Sequence, residues 1–462
     1  MNANKVNEGT KGEHAMKSFL NMAVAAAVLA ALAASANATA YTAGSSGNWG
    51  DSAVWGGSGF PNAAGDTANL SVSGTWNLAD SNGLDASFTV ASVSSSTGSN
   101  NMTIQNVAGG TGALIFDNNG NNAYFTTTKN SGKKADINVR VILNDNLIVT
   151  SRVSGEQGAN FRKEISSGSG LTTGLIIARQ SGTSSAQAIV DVQISAAASY
   201  TGETRIMGSA VTGSAGSQNG GGKLRINLDN ALPITTVLRI DGAEASWYAQ
   251  GGALKLNGHN QEVAGVYGAA GFDAGEITTS SAATLTINNS ADYDFEGNIG
   301  GAAGTAVALV KKGIGTQTLS GVNNYTGDTT VEDGTLTLAS TGGLSFVIGA
   351  SGVNNKITGD GAGQTVNLDG AFTFDLTGAG TTVGDSWTIV DYAGLAAVNV
   401  GATFAVTNAG WTETAGVWTG TDTNGATYAF SESTGVLAVI PEPATMCLLA
   451  VGGAACLFRR RK

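Results

Sequence analysis

Few residues in this chain are of types that do chemistry. A lone histidine beyond the leader-like opening, His259, sits in Asn257-Gly258-His259-Asn260, and both cysteines, Cys447 and Cys456, fall in an apolar run near the end. A histidine general base or a zinc site needs partners, and none of the usual kind is at hand, so His259 reads as a turn residue. With no cysteine in the body of the chain there is no disulfide framework and no thiolate metal site there. Carboxylates are more numerous. Asp292, Asp294 and Glu296 alternate in the stretch DYDFE, and a strand would project all three to one face, the arrangement that paired acids use to cleave polysaccharides. The same spacing arises on any strand that faces water. Asp117–Asn122 (DNNGNN) and Asp422–Gly425 (DTNG) offer oxygen ligands around a glycine. Neither completes a calcium loop, and both read as ordinary turns. No nucleophile elbow and no phosphate loop is present. These residues point to a chain that is not an enzyme and uses no cofactor or metal.

Binding residues are the next candidates. Trp49, Trp55 and Trp76 lie among glycines between Tyr41 and Leu78, where they would either stack on sugar rings or cover the open end of a β structure, an end that must be protected against strand addition. Eight basic residues, Lys129, Lys133, Lys134, Arg140, Arg152, Arg162, Lys163 and Arg179, face four acids between Lys129 and Gln180. That is where an anionic polysaccharide would touch, unless these are scattered solvated side chains. Beyond Lys356 no Lys or Arg occurs before Arg459, and eight acids precede Ile440, enough to draw divalent cations diffusely. The net charge of −11 excludes nucleic acid as a partner, because phosphate binding needs a cationic face.

The elements that must carry these residues are short strands. Gly reaches 67 and Pro only 4 in 462 residues, with 12% charged, a composition that fits many strands joined by Gly/Asn/Asp turns and neither a proline-rich linker nor a charged disordered chain. The stretch Leu309–Leu338 shows three such strands by their period-2 alternation, Thr316–Ser320, Thr329–Glu332 and Thr335–Leu338. Further strands are expected at Leu114–Phe116, Ile137–Leu143, Leu147–Thr150, Leu175–Ala178, Ala371–Leu376, Ser386–Asp391 and Thr427–Ser431. One such unit cannot bury its own apolar face. A degenerate copy stands upstream, since SYTGETRI (Ser199–Ile206) parallels NYTGDTTV (Asn324–Val331) and a glycine-led strand follows each. Recurrence of that kind signals a solenoid.

Leu309, Lys311, Gly313, Gly315, Thr316, Leu319, Ser320, Gly321, Asn323, Tyr325, Thr326, Gly327, Thr329, Val331, Gly334, Thr335 and Leu336 follow a pattern that resembles the autotransporter-associated β-strand repeat. A weaker likeness runs back through Ala283–Gly297 and Ala253–Val266 to about residue 190. The resemblance implies a right-handed parallel β-helix displayed outside a bacterium. Trp49–Leu70 also looks like the opening of surface proteins that carry this repeat, which favours the cap reading of the tryptophans. No closing run of alternating ten-residue strands, the mark of an outer-membrane barrel, is seen, so export must use another route.

Both ends read as delivery signals. Lys17, the apolar run Phe19–Ala34 and the small-residue steps Ala36-Asn37-Ala38 and Ala38-Thr39-Ala40 have the three parts of a secretory signal peptide, with cleavage expected after Ala38 or Ala40. Met16 is an alternative start, and a transmembrane anchor is the competing reading of the run. At the other end Pro441-Glu442-Pro443 leads into the apolar segment 444–458 and then Arg459, Arg460, Arg461 and Lys462. Fifteen residues make a helix of about 22 Å, short of a hydrocarbon core of about 30 Å, which suits a transient anchor held by its basic stop with the C-terminus inside. The order of breaker, apolar run and basic cluster is similar to the PEP-CTERM sorting signal. The resemblance implies recognition by an exosortase, removal of the tail and passage to the surface, commonly alongside exopolysaccharide.

The sequence therefore predicts an all-β chain, a right-handed parallel β-helix with a β-rich C-terminal cap, an N-terminal signal helix and a short C-terminal transmembrane helix. Its expected divisions are a signal peptide over 1–40, an N-terminal β cap over 41–78, a solenoid over 79–340 with the repeat at 309–338, a C-terminal β module over 341–436 and a sorting segment over 437–462. The expected role is structural or adhesive, at the cell surface or in the extracellular matrix, after transient inner-membrane anchoring. Its partners are the Sec export machinery, an exosortase and exopolysaccharide. The alternative is a surface polysaccharide lyase or hydrolase on the same scaffold, which would place carboxylates opposite Arg or Lys in a lateral groove.

Overall fold

The computed structural model describes residues 38–95, 102–128, 134–151, 155–179, 188–208, 221–242, 251–268, 275–301, 304–360 and 363–441. The expected signal helix and the apolar sorting tail lie outside them. Among the described residues the chain is all-β, with one 3-10 turn at Ser52–Trp55, and no helix is long and apolar enough to cross a membrane. It divides into two compact units, Met1–Lys255 with Gly268–Gly275, and Leu256–Tyr267 with Glu276–Lys462. Each is a parallel β-solenoid.

In the first unit one face runs in chain order through Ala40–Ala43, Thr67–Leu70, Ser92–Ser95, Ala123–Thr127, Leu147–Ser151, Leu175–Ile177, Thr204–Ile206 and Leu238–Ile240. A second face runs through Gly47–Gly50, Gly74–Asp80, Met102–Asn106, Lys134–Asn138, Gly155–Phe161, Ala188–Ile194, Gly222–Ile226 and Ala253–Lys255. A shorter third face holds Phe88–Val90, Ala113–Phe116, Arg140–Leu143 and Ile165–Ser167. Each strand pairs in parallel with its counterpart one coil away, so side chains of like parity stack. Trp76, Ile104, Ile137, Phe161, Ile194 and Ile226 occupy matched positions on successive strands, and all six are fully buried. That column is the hydrophobic interior no single coil could provide.

The second unit repeats the plan. Gln261–Val263, Ala283–Asn288, Val307–Lys312, Thr329–Val331 and Ile357–Gly359 form one parallel sheet, and Tyr293–Phe295, Thr316–Leu319, Thr335–Leu338, Thr365–Leu368 and Ala397–Val400 a second. A third sheet joins Val322–Asn323, Gly343–Val347, Ala371–Asp375 and Ala405–Val406. The unit ends in an antiparallel sheet ordered Ser386–Thr388, Val436–Ile440, Thr427–Ser431, Val417–Thr421, Thr412–Thr414. Phe372, Phe374, Phe404 and Phe430 meet beneath it with ring centroids 4.9–6.1 Å apart, so aromatic area closes the end of the aliphatic column.

Two features of the strand pairing bear on where the solenoid begins and ends. Parallel pairing crosses residue 340 without a break, since Gly343–Val347 matches both Val322–Asn323 and Ala371–Asp375, and the last sheet is antiparallel. Likewise Gly74–Asp80 already pairs with Met102–Asn106, so the first coils belong to the solenoid they close. Residues 137–143, expected as one strand, bend at the fully buried Val139, with strands on either side in different sheets. Alternation continues through such a corner, which hides it from a period-2 reading.

Because Phe161 sits mid-column, Phe161→Ala is expected to destabilise the unit by about 3–5 kcal/mol. Urea denaturation followed by circular dichroism checks this, with a midpoint unchanged from wild type counting against the stacked core.

Candidate functional site

The most heavily patterned stretch, Leu309–Leu338, uses its distinctive residues to close corners. Tyr325 is buried and its hydroxyl shares a 2.6 Å hydrogen bond with that of Thr329; burial pushes the phenol up to about 12. The upstream copy does the same with Tyr200 and Thr204, also 2.6 Å apart. In both corners the intervening glycine touches the coil beneath: a Cβ on Gly327 would meet the Val307 carbonyl oxygen and the Ala308 backbone, and one on Gly202 the Thr173 backbone.

Polar side chains of the repeat point inward and satisfy backbone groups that the corners leave unpaired. Asn323 Oδ1 accepts the Ile299 N–H at 2.9 Å, while its Nδ2 donates to the Gly321 carbonyl at 2.8 Å. Gln317 donates to the Val266 carbonyl at 2.9 Å. Lys311 stands between Ile287 and Val331 in the inward column, and its ammonium donates to the carbonyls of Lys312 and Gly313 at 2.7 Å and of Asp333 at 3.2 Å. Three N–H donors meet three acceptors. Burial nevertheless pulls the amine down to about 8, partly opposed by the charges of Asp333 and Asp292.

Ionisable groups converge on the second face of the first unit. Asp191, its side chain fully buried, accepts from Lys134 Nζ at 2.9 Å and Arg225 Nε at 2.8 Å through one oxygen. Glu156 accepts from Lys223 Nζ at 2.6 Å and from Arg225 at 2.8 Å. Three of these four links skip a strand. Lys134 passes over Gly158, its register partner, to reach Asp191, and Glu156 reaches Lys223 and Arg225 across the strand Ala188–Ile194. The neighbouring Asp191 carboxyl, then Lys223 and Arg225, hold Glu156 down at about 2 against its burial, whereas burial and Glu156 push Asp191 up. Such a network laces coils together, because losing one partner would leave a buried charge uncompensated.

The carboxylates singled out in sequence do other work. Asp292 accepts the Thr316 N–H at 2.7 Å and Asp294 the Ser320 hydroxyl at 2.6 Å, each binding the next coil; Glu296 is half-buried. His259 follows the turn at Asn257 and Gly258. In DNNGNN, Asp117 accepts the Asn119 N–H at 3.1 Å, and in DTNG, Asp422 accepts those of Asn424 and Ala426 at 2.9 and 2.8 Å. These are turns, and among the described residues no cluster of His, Cys, Asp or Glu could hold a metal ion.

An exposed sugar-stacking plane of Trp49, Trp55 and Trp76 is overturned: they are 0%, 3% and 0% exposed. Trp49 Nε1 donates to the Pro61 carbonyl at 2.9 Å and Trp55 Nε1 to the Trp49 carbonyl at 2.7 Å, so the rings plug the first coil. Within the basic segment Lys134 sits on Asp191, Arg162 on Asp136 at 2.9 Å and Arg140 on the Thr111 carbonyl at 2.9 Å, while Arg179 is half-buried and Lys163 exposed; Lys129, Lys133 and Arg152 lie outside the described residues. Ala38 and Ala40 fall at the first strand. The last strand, Val436–Ile440, runs into Pro441, beside a shallow pocket of about 270 Å³ lined by no ionisable side chain. Glu442, Pro443 and Arg459–Lys462 lie outside the described residues.

Sequence reasoning missed the inward Lys311 and the Asp191 network. A signal for the second existed. Asp191 alternates with Val190 and Val192, and Lys223 and Arg225 with Leu224 and Ile226, so aligning the inward residues would have stacked opposite charges on one face.

Two family models match this chain: the passenger-associated-transport-repeat at residues 309–338, and the PEP-CTERM protein-sorting motif at residues 439–462. Neither the curated proteins nor the solved structures gave a match. The chain thus carries both marks, which imply an exported, surface-directed protein and exosortase-dependent sorting.

Gly327→Ala should destabilise the second unit by about 1–3 kcal/mol through overpacking, whereas Gly343→Ala, whose added carbon would lie 3.5 Å from its nearest neighbour, should be tolerated; paired chemical denaturation compares them. Lys311 yields a pH test. Between about 8, its folded value, and the ordinary 10.5, the unfolded chain binds the proton more tightly, so stability rises with pH across that window. Thermal melts should show this rise in the wild type relative to Lys311→Met, and parallel pH profiles would refute it.

Proposed function

We propose that the protein is a non-enzymatic scaffold of the cell surface or extracellular matrix, with a structural or adhesive role beside exopolysaccharide, delivered by Sec-dependent export and exosortase sorting. The observation that carries this reading is how its best ionisable cluster is used. Lys134, Lys223 and Arg225 all sit on Glu156 or Asp191, and Asp191 is fully buried beneath them, which suits cohesion between coils better than attack on a substrate. Outward positions of the second unit support the same role. Thr316, Thr335 and Thr365 share one register column and Thr318, Thr337 and Asn367 the next, which Asp294 heads, a polar face whose weak contacts gain by repetition.

The polysaccharide-cleaving alternative has one foothold, since Glu156 and Asp191 share Arg225 and lie beside Lys134 and Lys223. If that reading held, the purified protein would release oligosaccharides from the producing cell's exopolysaccharide and Glu156→Gln would not. The scaffold reading expects release from neither.

Delivery is tested by mass spectrometry of protein recovered from cells and from matrix, with and without the exosortase. The mature C-terminus is expected near Pro441 on surface protein only when the enzyme is present. Surface protein ending in intact Arg459–Lys462 would overturn this.

A further inference from the structure

Two overlapping small-residue pairs, Ala36/Ala38 and Ala38/Ala40, lie at the approach to the first strand, and a signal peptidase accepts either. The folded body distinguishes them. Ala40 opens the strand Ala40–Ala43 and lies opposite Thr67. Thr39, just before it, is already engaged: its carbonyl accepts the Thr67 N–H at 2.9 Å, and its own N–H donates to Asp66 Oδ1 at 3.1 Å.

Asp66 is only 5% exposed. Its other oxygen accepts the N–H groups of Asn62 and Ala63, each at 3.1 Å. Among the described residues no Lys, Arg or His forms an ion pair with it. A buried carboxylate held only by backbone amides is expensive, since burial of a charge asks for an opposite one.

We propose that the precursor is cut between Ala38 and Thr39, and that the α-ammonium created on Thr39 is the cation Asp66 is placed to hold. In the cut, the Ala38–Thr39 peptide bond breaks, the hydroxyl of water joins the Ala38 carbonyl carbon and its proton goes to the Thr39 nitrogen. The freed amine takes a further proton from solvent, as an α-amino group with a pKa of about 7.7–8.0 does at neutral pH. That nitrogen stands 3.1 Å from Asp66 Oδ1, and one amide donor becomes a charged group with three. A cut after Ala40 would instead remove Thr39, and with it the acceptor for Thr67 and the donor at Asp66. Of two sites that the sequence leaves equivalent, the cut after Ala38 is the one that keeps the fold's own first hydrogen bonds.

This inference rests on the export reading, and one experiment separates the two. The full-length chain is produced in a Sec-competent Gram-negative cell, and the exported protein's N-terminus is read by mass spectrometry. Thr39 is the expected first residue. A start at Tyr41, or anywhere else beyond the leader, overturns the proposed cut and leaves export standing; protein found only inside the cell with its leader intact overturns both. The ion pair is tested on the mature protein by comparing free and α-acetylated Thr39 ends, each with Asp66 and with Asp66→Asn. Acetylation should lower the unfolding midpoint with Asp66 and leave the Asn variant unmoved. An equal shift in both would overturn the pairing.

Discussion

Stacking of like on like organises this molecule. Each coil presents an apolar edge it cannot cover, and parallel in-register pairing places the next coil's matching side chain directly over it. The column from Trp76 to Ile226 is the plainest instance. From that constraint follow the shortness of the strands and the wealth of glycine, because coils that stack this closely bring backbone against backbone wherever the chain turns, as at Gly327 over Val307 and Ala308.

Corners are the weak points of such a stack, since a turning backbone leaves carbonyls and N–H groups without ladder partners. The repeat deals with this from inside. Asn323, Gln317 and Lys311 give up aliphatic positions in the column to supply those partners. Lys311 is the extreme case, with a cation placed where Ile287 and Val331 would otherwise meet an aliphatic neighbour. It is retained because three carbonyls surround its three protons. In the first unit polar residues act from outside, where Asp191, Glu156 and their cations tie alternate strands. Both devices direct ionisable groups to cohesion, the observation on which the proposed scaffold role rests.

How legible each part was depends on the range over which its physics acts. Alternation within Thr335–Leu338 is local and was read to the residue. The Tyr325/Thr329 corner was visible because a second copy, Tyr200/Thr204, repeats its spacing. Val139 was hidden, since alternation passes through a bend unchanged. For the tryptophans the sequence favoured the cap over a sugar platform through the likeness of Trp49–Leu70, and the packing of Trp49 on Trp55, with centroids 5.1 Å apart, shows the plug itself.

By itself the sequence determined the class of fold, since period-2 strands that cannot bury their own faces must stack, and it marked the C-terminus as a sorting segment through the order of breaker, apolar run and basic cluster. Only the tertiary structure decided which polar residues turn inward, which charges meet across a skipped strand, where parallel pairing gives way to antiparallel, and which small-residue step before the first strand the folded body favours. The reason is common to all four. Parity along a strand is a property of neighbouring residues, whereas the partner of Lys311, Asp191 or Thr39 lies on another pass of the chain, and the length of every intervening corner sets which atom arrives there.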